Sequence, residues 1–556
     1  MLNFNRYKRV PVLQYPERQW PNKEIEKAPI WCSVDLRDGN QALIEPMSVE
    51  EKVEMFNLLL KLGFKEIEIG FPAASQIEYD FLRKLVEEDM IPDDVTVQVL
   101  TQCRKELIDR TFEAIEGIKN VIVHIYNSTS VLQRDVVFHM EKPEIIQIAI
   151  DGTRMVKERM KNFAGNLQLE YSPESFTGTE VEFALEICTA VQKEWDHANA
   201  NPIIFNLPAT VEMNTPNVYA DQIEWMSRHF EDRENVILSV HPHNDRGCGV
   251  AATELAILAG ADRVEGTLFG NGERTGNVDL LTVAYNMFSQ GINPELNLEN
   301  VNEIIDVYER CCKMQVGMRH PYAGKLVFTA FSGSHQDAIN KGEMALLERG
   351  TDVWEVPYLP IDPADVGRKY EAVVRINSQS GKGGIAFIMN TVFGYKLPKA
   401  MHREFADVIQ KISEIQGGEV APERIMEAFK EEYLSLKDPY EFVALKVEDD
   451  QQQDETKVEL TFRYKGEELT TQGRGNGPID AVKAAIMQQV GDLDVTILDY
   501  DEHALSAGSG AKAAAYIHMR DNTTGKITYG VGVSGNITRA SIRGVFSALN
   551  RLSIKK

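Results

Sequence analysis

VILSVHPHNDRG, residues 236–247, is a short β-branched run that ends in two histidines and a turn. Seven similar runs occur between residues 30 and 269, and longer stretches with helical spacing separate them. The eight runs are IWCSVD from Ile30, EIEIG from Glu66, VTVQVL from Val95, VIVHIY from Val121, LQLEY from Leu167, IIFNL from Ile203, VILSVH from Val236 and RVEGTLF from Arg263. Their starts are ~26–46 residues apart, as alternating strand–helix units require. Eight units in about 250 residues predict a closed (β/α)8 barrel, and the alternative is a doubly wound open sheet.

The positions of the polar residues favour closure. They follow the carboxyl ends of the predicted strands, which is where barrel active sites are built. This ring consists of Arg37, Asp38, His124, Tyr126, Glu170, Thr210, His241, His243 and Asn277. Between the first two strands, Ser48 and Glu51 predict a capping box at the start of a helix, and Gly63 marks its end.

The rest of the chain divides by composition and pattern. Residues 1–28 are predicted to form an extended arm and residues 29–305 the catalytic barrel. Residues 306–438 read mostly as helix and form predicted linker subdomains. Residues 439–556 alternate strands with two helices and predict a C-terminal α+β domain with a regulatory role. The acidic, Gln-rich stretch 446–458 is either a linker or an exposed hairpin.

Composition narrows the class of protein. The chain has 556 residues, of which 43% are hydrophobic and 26% charged, with a formal net charge of −25. This acidity argues against nucleic acid or an anionic membrane as a partner. No apolar run suits a membrane helix, and the N-terminus lacks the pattern of a signal peptide. The six scattered cysteines fit reduced thiols, so we expect a cytoplasmic protein.

The H-x-H pair suggests a metal site. Alternate residues of a strand point to one face, so His241 and His243 can bind one ion, although two surface histidines are the bland alternative. Asp38 is the natural third ligand, and Asn277 could supply a fourth through its carbonyl oxygen. Two imidazoles and two oxygens leave two octahedral positions open, which suits Mg²⁺ or Mn²⁺, with Zn²⁺ as a further candidate.

Other residues near this site have more than one interpretation. Arg37 could stabilise an oxyanion or form a plain salt bridge. Glu170 could anchor a ligand, contact a substrate, or be a buried paired carboxylate. GNGERTGN, residues 270–277, lacks the spacing of a dinucleotide fingerprint, and its glycines predict a tight loop that carries Glu273 and Asn277.

These motifs together resemble a known family. The matching segments are LRDGNQ at 36–41, followed after ten further residues by Lys52, then SVHPHNDRGCGVA at 239–251 and GNGERTGN at 270–277. They are similar to the signatures of the pyruvate-carboxyltransferase-like superfamily of metal-dependent Claisen enzymes, the DRE-TIM metallolyases. NLPATVEMNTPN at 206–217, SGSHQDA at 332–338 and the segment 356–384 resemble the long-form α-isopropylmalate synthase family. The resemblance covers nearly the whole chain.

The resemblance implies roles for ten residues. Asp38, His241, His243 and Asn277 fall on the family's divalent-metal ligands, and Arg37 falls on its catalytic arginine. Thr210 falls on a contact to the keto-acid carboxylate, and His124 and Glu170 fall on pocket residues. His335 falls on the proposed catalytic base, and Tyr370 aligns with a further tyrosine of the linker.

The resemblance also implies a reaction and partners. The expected reaction is condensation of acetyl-CoA with 2-oxoisovalerate and thioester hydrolysis to 2-isopropylmalate and CoA, the first committed step of leucine biosynthesis. Leucine is the expected feedback inhibitor, bound by the C-terminal domain, and K⁺ is a candidate activator. Members of the family are homodimers in which the linker region serves the active site of the partner subunit.

Three alternatives stay open at this stage. A homocitrate or citramalate synthase would keep the fold, the metal ligands and Arg37, and would differ in the keto acid. A metal-dependent barrel hydrolase would use the H-x-H pair without CoA, and would leave the linker and C-terminal domain unexplained. A non-catalytic leucine-sensing scaffold would need a broken set of metal ligands, whereas all four candidates are present.

Overall fold

The computed structural model shows two compact units. The first is Met1–Phe328 with Ile361–Lys369, and the second is Thr329–Pro360 with Tyr370–Lys556. The residues that the structure describes are 6, 10–196, 200–372, 382–416, 420–450, 455–506, 508 and 510–554. Part of the predicted arm, residues 1–5 and 7–9, lies outside them. The predicted boundaries at residues 28, 305 and 438 stay predictions.

The first unit contains the closed parallel barrel that the sequence predicts. Its strands are β1 Ile30–Ser33, β2 Glu66–Gly70, β3 Thr96–Gln102, β4 Asn120–Ser128, β5 Asn166–Glu174, β6 Ile203–Ala209, β7 Val236–Pro242 and β8 Arg263–Gly266. Each strand pairs with the next, and β1 pairs with β8 from Ile30 with Arg263 to Ser33 with Gly266, which closes the ring.

Helices surround the barrel and follow the strands. They are α1 Val49–Leu62, α2 Gln76–Glu87, α3 Lys105–Ala114, α4 Val131–Gln133, α5 Lys142–Met160, α6 Val181–Trp195, α7 Pro216–His229, α8 Gly249–Leu258, α9 Leu280–Phe288 and α10 Val301–Cys312. The ends of α1 are as predicted. Ser48 accepts from the Glu51 amide, the Glu51 carboxylate accepts from the Ser48 amide, and Gly63 ends the helix with φ 94°.

The barrel strands place carboxylates inside the ring. In β2, Ile67 and Ile69 alternate with Glu66 and Glu68, and Glu68 is fully buried. Because alternate residues of a barrel strand face inward and outward, the isoleucines pack beneath the helices while the glutamates enter the interior. The barrel therefore has an apolar outer core and a polar inner one.

In its described residues, the second unit contains helices, one two-stranded sheet and two three-stranded sheets. Its elements are β9 Thr329–Ala330, α11 Gly333–Arg349, β10 Glu371–Ala372, α12 Lys382–Thr391, α13 Met401–Gln416, α14 Pro422–Phe429, β11 Tyr440–Asp450, β12 Glu455–Tyr464, β13 Glu467–Gly475, α15 Pro478–Gln489, β14 Val495–Ala504, β15 Ala513–Asp521, β16 Ile527–Ser534 and α16 Ile537–Ser553. The predicted linker or hairpin is a hairpin, because Asp450 of β11 pairs with Glu455 of β12. Its residues 451–454 lie outside the described part. The full length of β11 was not predicted.

The sheet β14–β15–β16 has an apolar core on each face. Ala514 and Tyr516 of β15 join one cluster, whose other members include Phe405 and Phe429 from α13 and α14. Ile517 and Met519 join a second cluster with residues of α15 and α16, among them Ile486, Val545 and Phe546. Strand alternation sends neighbouring side chains of β15 to opposite cores.

Two further observations concern the whole described chain. All six cysteines are free thiols. Among the helices in the described ranges, none has both the length and the apolar character needed to cross a bilayer.

Candidate metal centre

One turn of π-helix, Asp35–Gly39, follows β1 and carries Arg37 and Asp38. Single π-turns are rare and are frequent at functional sites. The Val34 carbonyl accepts from the amides of both Arg37 and Gly39, which ties the turn to the end of the strand. The turn places both side chains at the carboxyl-terminal mouth of the barrel.

Three polar groups converge on one oxygen of Asp38. Asp38 Oδ2 lies 3.1 Å from His241 Nε2 and 3.6 Å from His243 Nε2. It also accepts from Asn277 Nδ2 at 2.9 Å. All four side chains are buried. The four residues predicted as metal ligands are therefore brought together from the ends of β1 and β7 and the loop after β8.

The donor set fits a divalent cation. Asn277 Oδ1 and His243 Nδ1 are buried without a hydrogen-bond partner. An unpaired buried amide oxygen next to a carboxylate and two imidazoles is an environment that a cation would satisfy. His241 Nδ1 lies 2.7 Å from Glu265 Oε2, which leaves Nε2 facing Asp38. A carboxylate on the far nitrogen is the common way to orient a metal-binding histidine.

The electrostatics of the cluster separate the two histidines. Burial alone would raise the pKa of Asp38, but the charges of Arg37 and His241 hold that pKa well below its usual range. Burial opposes the charged form of His241, yet its bonds to Asp38 and Glu265 raise its pKa to about 9. Burial and the neighbouring His241 lower the pKa of His243 to about 4. The cluster thus keeps one ionised carboxylate between imidazoles of unequal basicity.

The loop after β8 depends on its glycines, as the sequence predicts. Gly276 has φ 92°, and a Cβ there would lie 1.8 Å from the Gly270 carbonyl oxygen. Asn277 then forms an isolated bridge with His243. The tight loop thus presents Asn277 to Asp38.

Arg37 is held on two sides. Its Nε donates to Glu68 Oε2 at 2.5 Å, and its Nη1 lies 3.0 Å from Asp38 Oδ1. Glu68 Oε1 also lies 3.0 Å from His124 Nδ1. A single buried carboxylate therefore fixes both the arginine and a histidine of the mouth.

A cavity of about 240 Å³ opens above these residues. Six of the predicted site residues line it: Arg37, Asp38, His124, Thr210, His241 and His243. Tyr126, Ser172, Glu174, Asn206 and Arg274 are among its other walls. The volume and the polar lining suit a small polar ligand.

Glu170 does not line this cavity. It is fully buried, with Oε1 3.4 Å from His124 Nε2 and Oε2 3.3 Å from Arg263 Nη1. Burial and the nearby Glu265 raise its pKa well above the usual range. Glu174, four residues later on β5, lines the cavity instead.

His335 and Tyr370 belong to the second unit. The His335 ring stacks on Tyr358 with centroids 4.0 Å apart, and His335 is exposed near the start of α11. The Tyr370 hydroxyl is buried without a hydrogen-bond partner, and burial raises its pKa. Both residues therefore belong to a different compact unit from the residues that line the cavity.

Comparison with known proteins gives full-length relatives. The 2-isopropylmalate synthase of Clostridium acetobutylicum is 55% identical over 99% of this chain and 100% of its own length. Those of Corynebacterium efficiens and Mesorhizobium japonicum are 54% and 53% identical, over 96% and 99% of this chain and 94% and 99% of their own lengths. The chain belongs to the 2-isopropylmalate synthase family.

Three family models divide the chain along its length. An HMGL-like model matches residues 28–307, and an alpha-isopropylmalate synthase post-catalytic domain-like model matches 325–390. A LeuA allosteric (dimerisation) domain matches residues 419–553. Within the 2-isopropylmalate synthase family, this last match indicates self-association and allosteric regulation by the C-terminal part.

Several polar residues that lie in or beneath the candidate site of this member of the 2-isopropylmalate synthase family were not identified from the sequence. They are Glu68, Gln98, Glu174, Arg263 and Glu265. A signal exists for three of them, because EIEIG and RVEG place charged residues at alternate positions of barrel strands. Charged residues inside a strand that is buried on both faces must find partners in the barrel interior.

Proposed function

We propose that this chain catalyses the 2-isopropylmalate synthase reaction. In that reaction acetyl-CoA condenses with 2-oxoisovalerate, and thioester hydrolysis releases 2-isopropylmalate and CoA. The full-length relationship to 2-isopropylmalate synthases is the observation that carries the proposal. The convergence of His241, His243 and Asn277 on Asp38 supports a metal-dependent route.

Asp38, His241, His243 and Asn277 would hold the divalent ion, for which we propose Mg²⁺ or Mn²⁺, with Zn²⁺ as an alternative. Such an ion polarises a bound keto group when present. Glu265 orients His241 by accepting from Nδ1, so Nε2 stays available toward Asp38. The four side chains therefore fix where the keto acid is held.

Arg37 is proposed to stabilise the developing alkoxide. Its bonds to Glu68 and Asp38 use Nε and Nη1, which leaves the remaining guanidinium donors for the substrate. A buried arginine fixed by two carboxylates cannot swing away, so its donors are preorganised. Thr210 and His124 line the same cavity and are proposed to contact the keto acid.

His335 is the proposed base that removes a proton from the acetyl methyl group, and Tyr370 is proposed to assist it. An exposed imidazole suits this role because histidine is the side chain that most often serves as a general base. Glu170 is proposed to act from beneath the cavity through His124, which it approaches at 3.4 Å.

The C-terminal part is proposed to bind leucine as feedback inhibitor, within a homodimer whose linker region serves the partner's active site. The match to a LeuA allosteric (dimerisation) domain over residues 419–553 supports this role. K⁺ is proposed as an activator. A cytoplasmic location is proposed because all six cysteines are free.

The decisive experiment measures CoA release from acetyl-CoA with a thiol reagent. Release is expected only when 2-oxoisovalerate and a divalent ion are both present, and leucine is expected to suppress it. Equal or faster release with 2-oxoglutarate or pyruvate would instead indicate a homocitrate or citramalate synthase. Release without any keto acid would indicate a thioester hydrolase.

A further inference from the structure

Lys52 is a charged residue with no exposed surface. It lies in α1, and its side-chain exposure is 0%. Lysine is almost never fully buried unless its ammonium group is paired, because removing the charge from water is costly. The groups that contact Lys52 should therefore show what offsets the desolvation of its ammonium group.

The two partners of the ammonium group lie on different elements. Lys52 Nζ donates to the Leu36 carbonyl oxygen at 3.2 Å and to Glu78 Oε1 at 2.5 Å. Leu36 belongs to the π-turn and immediately precedes Arg37. Lys52 thus connects α1 to the backbone of the segment that carries the candidate metal ligand Asp38.

Glu78 holds the ammonium group in place from the first turn of α2. Gly70, at the end of β2, leaves the space that this carboxylate needs, since a Cβ at Gly70 would lie 1.8 Å from Glu78 Oε2. Burial lowers the pKa of Lys52, while the charge of Glu78 opposes that shift. The position of the ammonium group is therefore fixed by β2 and α2 as well as by α1.

The hydrogen bond from Lys52 to the Leu36 carbonyl can stabilise the π-turn. The irregular turn is short, and its geometry sets the direction in which Arg37 and Asp38 leave the backbone. A hydrogen bond from a buried, paired cation is stronger than one between neutral groups, so it can hold a carbonyl in one orientation. Side chains that orient metal ligands act in this way.

We propose that Lys52 is a positioning residue that fixes the Leu36 carbonyl and thereby the π-turn that presents Asp38 and Arg37. This inference rests on the proposed function of Asp38 as a metal ligand. It assigns to Lys52 a role in metal affinity and turnover that goes beyond stabilising the barrel.

The test uses Lys52→Met in the full-length protein, with Mn²⁺ alone as the probe. Binding is measured by electron paramagnetic resonance and by calorimetry, and kcat and KM are measured at saturating Mn²⁺. Mn²⁺ affinity and kcat are each expected to fall by about 10–100-fold, the range seen when groups that orient metal ligands are removed. The KM for acetyl-CoA is expected to stay within about twofold, because the proposed contact orients metal ligands and Arg37.

Two further variants separate positioning from stability. Arg233→Met breaks an ion pair with Asp262 at the amino ends of β7 and β8, far along the barrel from the π-turn. It should lower the melting temperature while Mn²⁺ affinity stays unchanged. Glu78→Gln keeps Lys52 and an acceptor for its ammonium group but removes the counter-charge, so the melting temperature should fall. Mn²⁺ affinity should fall by no more than about threefold, because the contact with Leu36 remains.

The outcomes are distinct. A folded Lys52→Met protein with wild-type Mn²⁺ affinity and kcat would overturn the inference. It would also be overturned if Arg233→Met lost as much Mn²⁺ affinity and kcat as Lys52→Met. If Lys52→Met does not fold, Glu78→Gln decides, since a tenfold loss of affinity there would assign the effect to the ion pair and not to the Leu36 contact. Failure of the wild-type protein to bind Mn²⁺ would instead refute the proposed metal site itself.

Discussion

Within the residues that the structure describes, the barrel holds two clusters that each combine histidine with carboxylate. The mouth cluster is Asp38, His241 and His243, and the inner cluster is His124, Glu170 and Glu265. In each cluster every member is buried, and one ligand atom from each lies within 4.8 Å of the others. Residue types and spacing alone would predict a metal in both places.

The two clusters differ in how a cation is built in. Arg263 enters the inner cluster and donates to Glu265 at 2.9 Å, and it lies 3.3 Å from Glu170. The mouth cluster has Arg37 on only one oxygen of Asp38, while the other oxygen faces the histidines. It also borders a cavity. Arg263 already supplies a cation to the inner cluster, of which only His124 lines the cavity, whereas all three residues of the mouth cluster line it. We therefore propose the mouth cluster, and not the inner one, as the site of the ion.

The largest effect is expected from removing the built-in cation. Arg263→Met leaves buried carboxylates without their counter-ion, which costs about 3–5 kcal/mol when a buried pair is broken. We expect loss of soluble folded protein or a strongly lowered urea midpoint. Unchanged stability would show that the inner cluster does not depend on Arg263.

His241→Ala is expected to abolish turnover without unfolding the chain. Loss of an imidazole ligand should reduce kcat by about 100-fold or more and should weaken Mn²⁺ binding at least as much as loss of an orienting group. Circular dichroism of the metal-free protein should stay the same as that of the wild type. Near-normal turnover would remove His241 from the metal site.

Glu265→Gln tests a residue that joins the clusters, because Glu265 contacts both His241 and Arg263. Mn²⁺ affinity is expected to fall by about 10–100-fold, since the carboxylate that orients the histidine loses its charge. Calorimetric titration with Mn²⁺ measures this directly. An affinity equal to that of the wild type would mean that the two clusters act independently.

Glu170→Gln should have the smallest effect. Burial and the nearby Glu265 raise the pKa of this carboxyl group, which favours its protonated form, and a glutamine amide can donate as a protonated acid does. We expect kcat to change by no more than about threefold. A drop of about 100-fold in the CoA-release assay would place Glu170 in direct contact with the reaction.

The sequence predicts the barrel well because the barrel rests on local patterns, and it also identifies the four side chains that the structure brings together at Asp38. The eight runs, the Ser48 capping box and the H-x-H pair are each visible within a few residues. Asp38 joins the set because the fold brings strand ends together at one mouth.

The other site residues could not be predicted, because their roles depend on how far along a barrel strand each side chain lies. The alternation of residues in a strand does not give this position. Glu170 and Glu174 share a face of β5, and only the tilt of the strands decides which of them reaches the cavity. The π-turn and the Arg263 network are likewise long-range features. They arise from contacts between residues that are far apart in the sequence, such as Arg263 with Gln98.

The two-faced sheet β14–β16 affects how regulation can be studied. Tyr516 and its neighbours pack against α13 and α14. A stop codon before β11 would therefore remove the residues that cover one side of this helical cluster. Such a truncated protein would expose Phe405 and Phe429 to solvent. We expect it to aggregate before its response to an inhibitor could be measured. Loss of feedback inhibition is therefore best studied in full-length proteins with single substitutions, because such a variant can lose inhibition and still be folded.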